Sequence, residues 1–289
     1  MPEHDWQTLE RALESAPGSR FRERLRHELE STMQTMMAKP ATGIPEGFTS
    51  VTPYVTVADV ERLIAFAKAT FGAEELARAT HGAGGIHCNI GIGDSKLFFG
   101  GGASVQGRET VGALHVYVPD VDATYARALE NGAESLYEPE DKPYGERNCG
   151  VKDPVGNLWF IATRLPGPAP VEGTGTVTPF LLAKNALGLI DFLKGAFGAQ
   201  EILVVKAPDG AFLHAAVRVG NSVLEFGESL PQPAAFYLFV PDADALYDQA
   251  LAAGATSIYP PADQPYGDRL GVVQDAWGNT WCIATRLER

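Results

Sequence analysis

Between Val51 and Val57 the chain alternates in the period of a strand (VTPYVTV), and from Ala58 to Phe71 its apolar residues recur at helical spacing. Three more strands are expected near Glu75–Thr80, Ile86–Ile92 and Lys96–Gly100. The order then restarts with a strand over Gly112–Pro119, a helix over Asp122–Asn131, and strands near Glu134–Tyr137, Gly150–Lys152 and Leu158–Arg164. The whole series returns once more. VTPFLLA from Val177 echoes VTPYVTV, and PYGDRLGVVQDAWGNTWCIATRL, ending at Leu287, echoes PYGERNCGVKDPVGNLWFIATRL, ending at Leu165. Each predicted helix ends in a Gly-Ala pair, at Gly72, Gly132, Gly198 and Gly254, where glycine stops a helix without a Cβ penalty. The pattern is therefore four strand–helix–three-strand modules, two per repeat.

This organisation predicts an α+β protein of two like domains, residues 48–165 and 177–289. The Pro/Gly-rich stretch 166–176 (PGPAPVEGTGT from Pro166) joins them as a linker. Residues 1–47 read as a helical hairpin, with Trp6, Leu9 and Leu13 on its first arm and Phe21, Leu25, Leu29, Met33 and Met36 striping the second. Its expected role is to pack on a domain or to stabilise a homodimer, the alternative being a helix that binds a protein partner. Strand alternation places Leu114, Val116, Val118, Trp159 and Ile161 against the helices. By the same parity Trp159 and Trp281 belong to the core and not to a stacking platform.

Composition narrows the function classes. A net charge of −13 disfavours sequence-independent binding of phosphate backbones, so no nucleic-acid partner is expected. No apolar run is long enough to span a bilayer, and the charged N-terminus does not read as a secretion signal. Cys88, Cys149 and Cys282 are odd in number and lack CxxC spacing, which fits free thiols in the cytoplasm. Gly100, Gly101 and Gly102 follow a strand but lack the Lys-Ser/Thr of a phosphate loop.

The βαβββ order, together with VTVADVERLIAFAKATFGA, VYVPDVDATYARALENGA and DPVGNLWFIATR, resembles the vicinal-oxygen-chelate superfamily of glyoxalase I, bleomycin-resistance proteins, fosfomycin-resistance enzymes and extradiol dioxygenases. The similarity is greatest to glyoxalase-like proteins of the phosphonate-operon type. It implies tandem glyoxalase-like domains in which two modules form a curved, mostly antiparallel sheet around a cup, with the modules pairing either within a repeat or between repeats. It also implies metal-ligand slots on the first and last strand of each module. Here those slots carry Thr52, Phe98, Ala113 and Phe160 in the first repeat, and Thr178, Glu225, Ala235 and Cys282 in the second. Divalent metals want at least three carboxylate or imidazole ligands, so the expectation is no metal and no cofactor.

On the face opposite the helices, alternation places Tyr54, Phe98, His115, Tyr117, Phe160 and Arg164 in the first repeat. The second repeat places Phe180, Glu225, Tyr237, Phe239 and Arg286 there. Aromatic surface with a few polar groups suits a pocket for a small apolar or aromatic molecule. Sequestration of a drug or metabolite is the expected function. The rival is a lyase, isomerase or dioxygenase with a non-standard site, using either an unrecognised metal arrangement or acid–base work by His115 with Tyr117 or by Glu225. Glu225 should be solvated or paired, with Arg286 sharing its face. Arg147 and Arg269, which follow each PYG, read as rim or turn residues.

Overall fold

The alternating segments form strands and the helical-period segments form helices in the computed structural model, which describes residues 43–81, 84–102, 105, 109–166, 171, 173–228 and 232–287. The first repeat comprises β1 (Val51–Val57), α1 (Val60–Phe71), β2 (Glu74–His81), β3 (Gly85–Ile92) and β4 (Ser95–Gly101). It continues with β5 (Ala113–Tyr117), α2 (Val121–Glu130), β6 (Glu134–Lys142), β7 (Glu146–Lys152) and β8 (Leu158–Arg164). The second repeat opens with β9 (Val177–Ala183), α3 (Ala186–Phe197), β10 (Gln200–Lys206), β11 (Phe212–Val219) and β12 (Ser222–Glu228). It closes with β13 (Ala235–Phe239), α4 (Ala243–Ala252), β14 (Thr256–Asp263), β15 (Asp268–Gln274) and β16 (Thr280–Arg286). Apart from residues 43–47, the predicted hairpin lies outside the described residues.

Each helix opens on an Asx side chain that accepts a backbone N–H of the first turn: Asp59 from Arg62, Asp120 from Ala123, Asn185 from Gly188 and Asp242 from Ala245. Gly72 and Gly198 close α1 and α3 in the left-handed region, at φ 68° and 65°. Strands β6 and β7 run past the predicted limits, to Lys142 and from Glu146, so that only Pro143, Tyr144 and Gly145 make the turn. The expected strand Glu134–Tyr137 stopped short because ESLYEPEDK lies on a sheet edge, largely exposed. Charged residues there hide the strand period.

The strands form two eight-stranded sheets, each drawing one module from each repeat. Sheet I has the order β14-β15-β16-β13-β1-β4-β3-β2, and sheet II the order β10-β11-β12-β9-β5-β8-β7-β6. The seams between repeats are antiparallel: β1 meets β13 with Thr52 facing Tyr237, and β5 meets β9 with His115 facing Thr178. Matching turns, β11–β12 and β3–β4, tie the starts of β1 and β9 to the opposite sheet. Asn221 Oδ1 accepts from Ser50 N at 2.7 Å, and Asp94 Oδ1 accepts from Thr176 N at 2.7 Å. The grouping of inner-face residues by repeat is thus corrected, because parity fixes a residue's face but not which module lies beside it.

The cores do follow the repeats. Leu63, Phe66 and Phe99 of the first module pack with Leu114, Trp159 and Ile161 of the second under α1 and α2. Leu189, Leu193 and Phe226 pack with Phe236, Trp281 and Ile283 under α3 and α4. Trp159 and Trp281 are fully buried, as the parity argument required.

Candidate functional site

The two inner faces have different fates. On sheet I, Phe98, Tyr237, Phe239 and Cys282 are buried in a small apolar cluster with Leu270 and Val272. Phe48 and Ile44, from the segment before β1, pack onto it, with the Phe48 ring 5.2 Å from Phe98 and 5.6 Å from Phe239. Lys96 holds that segment by donating to Glu46 O at 2.8 Å and lying over the Phe48 ring. The polar groups of this face are matched. Tyr237 OH donates to Asp268 Oδ2 at 2.8 Å, Arg286 donates to Asp268 Oδ1 at 2.6 Å, and Tyr54 OH bonds with His87 Nδ1 at 3.1 Å. Tyr54 keeps a half-buried ring, and Arg286 is exposed. Burial pushes the Cys282 thiol up to about 12, so it does not offer a thiolate at neutral pH.

Sheet II gathers His115, Tyr117, Phe160, Arg164, Phe180 and Glu225. Across the β5–β9 seam, His115 Nδ1–H donates to Glu225 Oε2 at 2.6 Å, with both residues over nine-tenths buried. Glu225 therefore pairs with His115 and not with Arg286, which stands on sheet I. Burial acts against charge on both groups, but each offsets it for the other. The Glu225 carboxylate, helped by Glu146, holds the imidazole above its ordinary value, and His115 holds the Glu225 carboxyl below its own. Next to them, Tyr117 OH donates to Glu146 Oε1 at 2.7 Å, and Arg164 lies 3.8 Å over the Tyr117 ring. Burial, then Glu225 and Glu146, push the Tyr117 hydroxyl well above the usual phenol range. Phe160 and Phe180 stand 4.8 Å apart and remain half-exposed. The Phe180 ring fits because residue 227 is glycine, where a Cβ would lie 2.9 Å from the ring.

Three residues were missed by the sequence reading. Glu146 and Asn148 fell in what was expected to be a turn before Gly150, and Phe48 lay just outside the first predicted strand. Alternation back from Gly150 through Asn148 to Glu146, on the face that pairs with Phe160, Ala162 and Arg164, was the available signal. Arg147 and Arg269 take the expected rim role. Arg147 clasps Asp122 in the first turn of α2 with two 2.7 Å bonds, and Arg269 clasps Asp244 in α4.

The metal slots that the fold family implies are shared out by the sheets as Ala113, Phe160, Thr178 and Glu225 on sheet II, and Thr52, Phe98, Ala235 and Cys282 on sheet I. The single carboxylate among sheet II's slots, Glu225, is already engaged by His115. Among the described residues no group of three or more His, Cys, Asp or Glu could hold a metal ion. The donor set does not fit the family's metal.

A family model described as the Glyoxalase/Bleomycin resistance protein/Dioxygenase superfamily matches residues 48–161 and 181–283. An uncharacterized protein of Mycobacterium tuberculosis is 35% identical over 122 residues, covering 37% of this chain and 72% of its own length. A Mycobacterium bovis protein named "Putative glyoxylase CFP32" is 29% identical over 193 residues, 62% of this chain and 70% of its own. The crystal structure of glyoxalase I from Zea mays superposes with a TM-score of 0.64 at 16% identity, covering 81% of this chain and 92% of that one. At that identity the likeness is one of fold.

Proposed function

The chain belongs to the glyoxalase/bleomycin resistance protein/dioxygenase superfamily, and from that premise we propose that it binds a flat, apolar or aromatic small molecule on sheet II without a metal ion. One observation carries this reading. Five buried side-chain polar atoms among the described residues lack a protein partner, and four of them belong to sheet II's inner face: His115 Nε2, Glu146 Oε2, Asn148 Oδ1 and Thr178 Oγ1. An unpaired buried polar group costs about 1–3 kcal/mol, so a face that collects four is one that a ligand completes. The half-exposed rings of Phe160 and Phe180 supply stacking area. Sheet I has no such atoms and is filled by the chain's own Phe48. Sequestration of a drug or metabolite is the role this supports.

Calorimetry on chelator-dialysed protein, with quinoline and N-methyl-2-quinolone as flat bicyclic probes, tests it. Binding at one site per chain, weakened at least tenfold by Phe180→Ala, is the expected result. A requirement for added metal, or indifference to that substitution, would overturn it.

One feature favours an enzyme instead: Glu225 orients the His115 ring and Nε2 makes no hydrogen bond, with Glu146 Oε2 3.6 Å away, as in a positioned acid–base imidazole. In that reading the chain is a lyase or isomerase with His115 as proton donor. Deuterium uptake from solvent into an aryl ketone probe, abolished by His115→Gln, would move the assignment there. The unpaired, buried Cys88, Cys149 and Cys282 support a cytoplasmic location. No helix among the described residues is long and apolar enough to cross a membrane.

A further inference from the structure

On the reading that sheet II is the binding face, we propose that its ligand carries a lactam edge. This is a ring N–H beside a ring C=O, as in 2-pyridones, 2-quinolones and pyrimidinones, with the C=O received by His115 and the N–H by Glu146.

His115 Nδ1–H is committed to Glu225 at 2.6 Å, and Glu146 Oε2 lies 3.6 Å from Nε2 on the other side of the ring. A carboxylate facing each nitrogen favours the doubly protonated imidazole, in which Nε2–H is a donor without a hydrogen-bond acceptor. Glu146 Oε1 accepts from Tyr117 OH at 2.7 Å, which leaves Oε2 as an acceptor without a donor. The site therefore holds one donor and one acceptor 3.6 Å apart, within ion-pair range but too far for a hydrogen bond to each other.

The oxygen and nitrogen of a cyclic amide lie about 2.3 Å apart by standard bond lengths. Two slightly splayed hydrogen bonds of about 2.8–3.0 Å then reach atoms at the observed separation. Other chemistries satisfy less of the site. A carboxylate or phosphate would face Glu146 and Glu225, and an ammonium would face the imidazolium and Arg164. A lone ketone leaves Glu146 unpaired. A lone hydroxyl meets both atoms only at an acute angle at oxygen. A lactam within a flat ring also suits the Phe160–Phe180 pair, whose rings are 4.8 Å apart.

Sheet I is the internal control. Tyr237 holds the place of His115, since His115 is level with Phe160 and Tyr237 with the matching Cys282. Its hydroxyl goes straight to Asp268 at 2.8 Å, and that face is left with no orphan pair.

The full chain should be titrated by calorimetry with 2-quinolone, N-methyl-2-quinolone and quinoline, as wild type and as Glu146→Gln. Wild type should bind 2-quinolone at least tenfold more tightly than N-methyl-2-quinolone, which keeps the ring and the carbonyl but lacks the N–H. Glu146→Gln keeps an oxygen for Tyr117 but turns an amide N–H₂ toward the ligand, so the preference should vanish. Equal wild-type affinities for the lactam and its N-methyl form would overturn the lactam assignment and leave the aromatic-binding reading standing. A preference that survives Glu146→Gln would overturn the docking geometry. Absence of binding by all three probes would sink both.

Discussion

At the scale of single residues, the His115–Glu225 pair is the most consequential contact. Removing one partner strands a buried charge, so His115→Ala should lower unfolding free energy by about 3–5 kcal/mol, read by chemical denaturation. A loss below about 1 kcal/mol would mean that Glu225 is solvated. The pair also sets a pH window. His115 is raised from 6.5 in the folded state, so its contribution is complete below that value and is lost as pH rises through the folded pKa. Glu225 is lowered from 4.5, so its contribution is complete above that value and is lost as pH falls through the folded pKa. Both are in full force between 4.5 and 6.5. Stability should decline on the alkaline side in wild type and decline less in His115→Gln. Parallel pH profiles for the two proteins would refute the coupling.

At the scale of elements, the repeated Asp-x-x-Gly-Asn-x-Trp segment explains why so much of the fold was legible. Asp153 Oδ2 accepts from Asn157 Nδ2 at 2.7 Å and Trp159 Nε1 at 3.0 Å, and Asp275 does the same for Asn279 and Trp281. Asn157 then accepts from Gly112 N, tying the turn to the strand beside it. Asp153→Ala leaves an indole N–H and an amide buried without partners and should cost about 3 kcal/mol in denaturant unfolding. A change within about 0.5 kcal/mol would show that the turn holds without it. Such local signals gave the order of elements along the chain, helix ends and the inner face of the strands that were read. Glu146 was legible only by parity from Gly150, because its strand is paired with a charged edge that gives the alternation no apolar contrast. Phe48 was not legible, since a single aromatic before a strand has no period. Its role can be checked directly. Phe48→Ala should destabilise by about 2 kcal/mol and open an apolar void on sheet I able to take benzene. A variant that neither loses stability nor binds benzene would show that Phe48 does not fill that face.

At the scale of the whole molecule, two connectivities are superposed. Cores and helix pairs belong to a repeat, whereas each sheet belongs half to one repeat and half to the other. No pattern along the chain could separate these arrangements, because β1, β5, β9 and β13 all read as the same opening strand. The physical consequence concerns edges. Cut from its neighbour, the first repeat keeps its core and the β1–β4 and β5–β8 pairings, but β1 and β5 become open edge strands where β13 and β9 had been. Its inner faces lose their other halves as well, with Glu225 gone from His115 and Tyr237 gone from Phe98. The two opening strands of one copy can pair antiparallel with those of a second, since β5 and β13 hold equivalent places. Residues 43–166 expressed alone should therefore sediment as a dimer. Mixing with residues 171–289 should convert it to a one-to-one complex, because only that complex restores the His115–Glu225 contact. A stable monomer that ignores the second repeat would mean that the seams contribute little, and that each repeat is a self-sufficient domain.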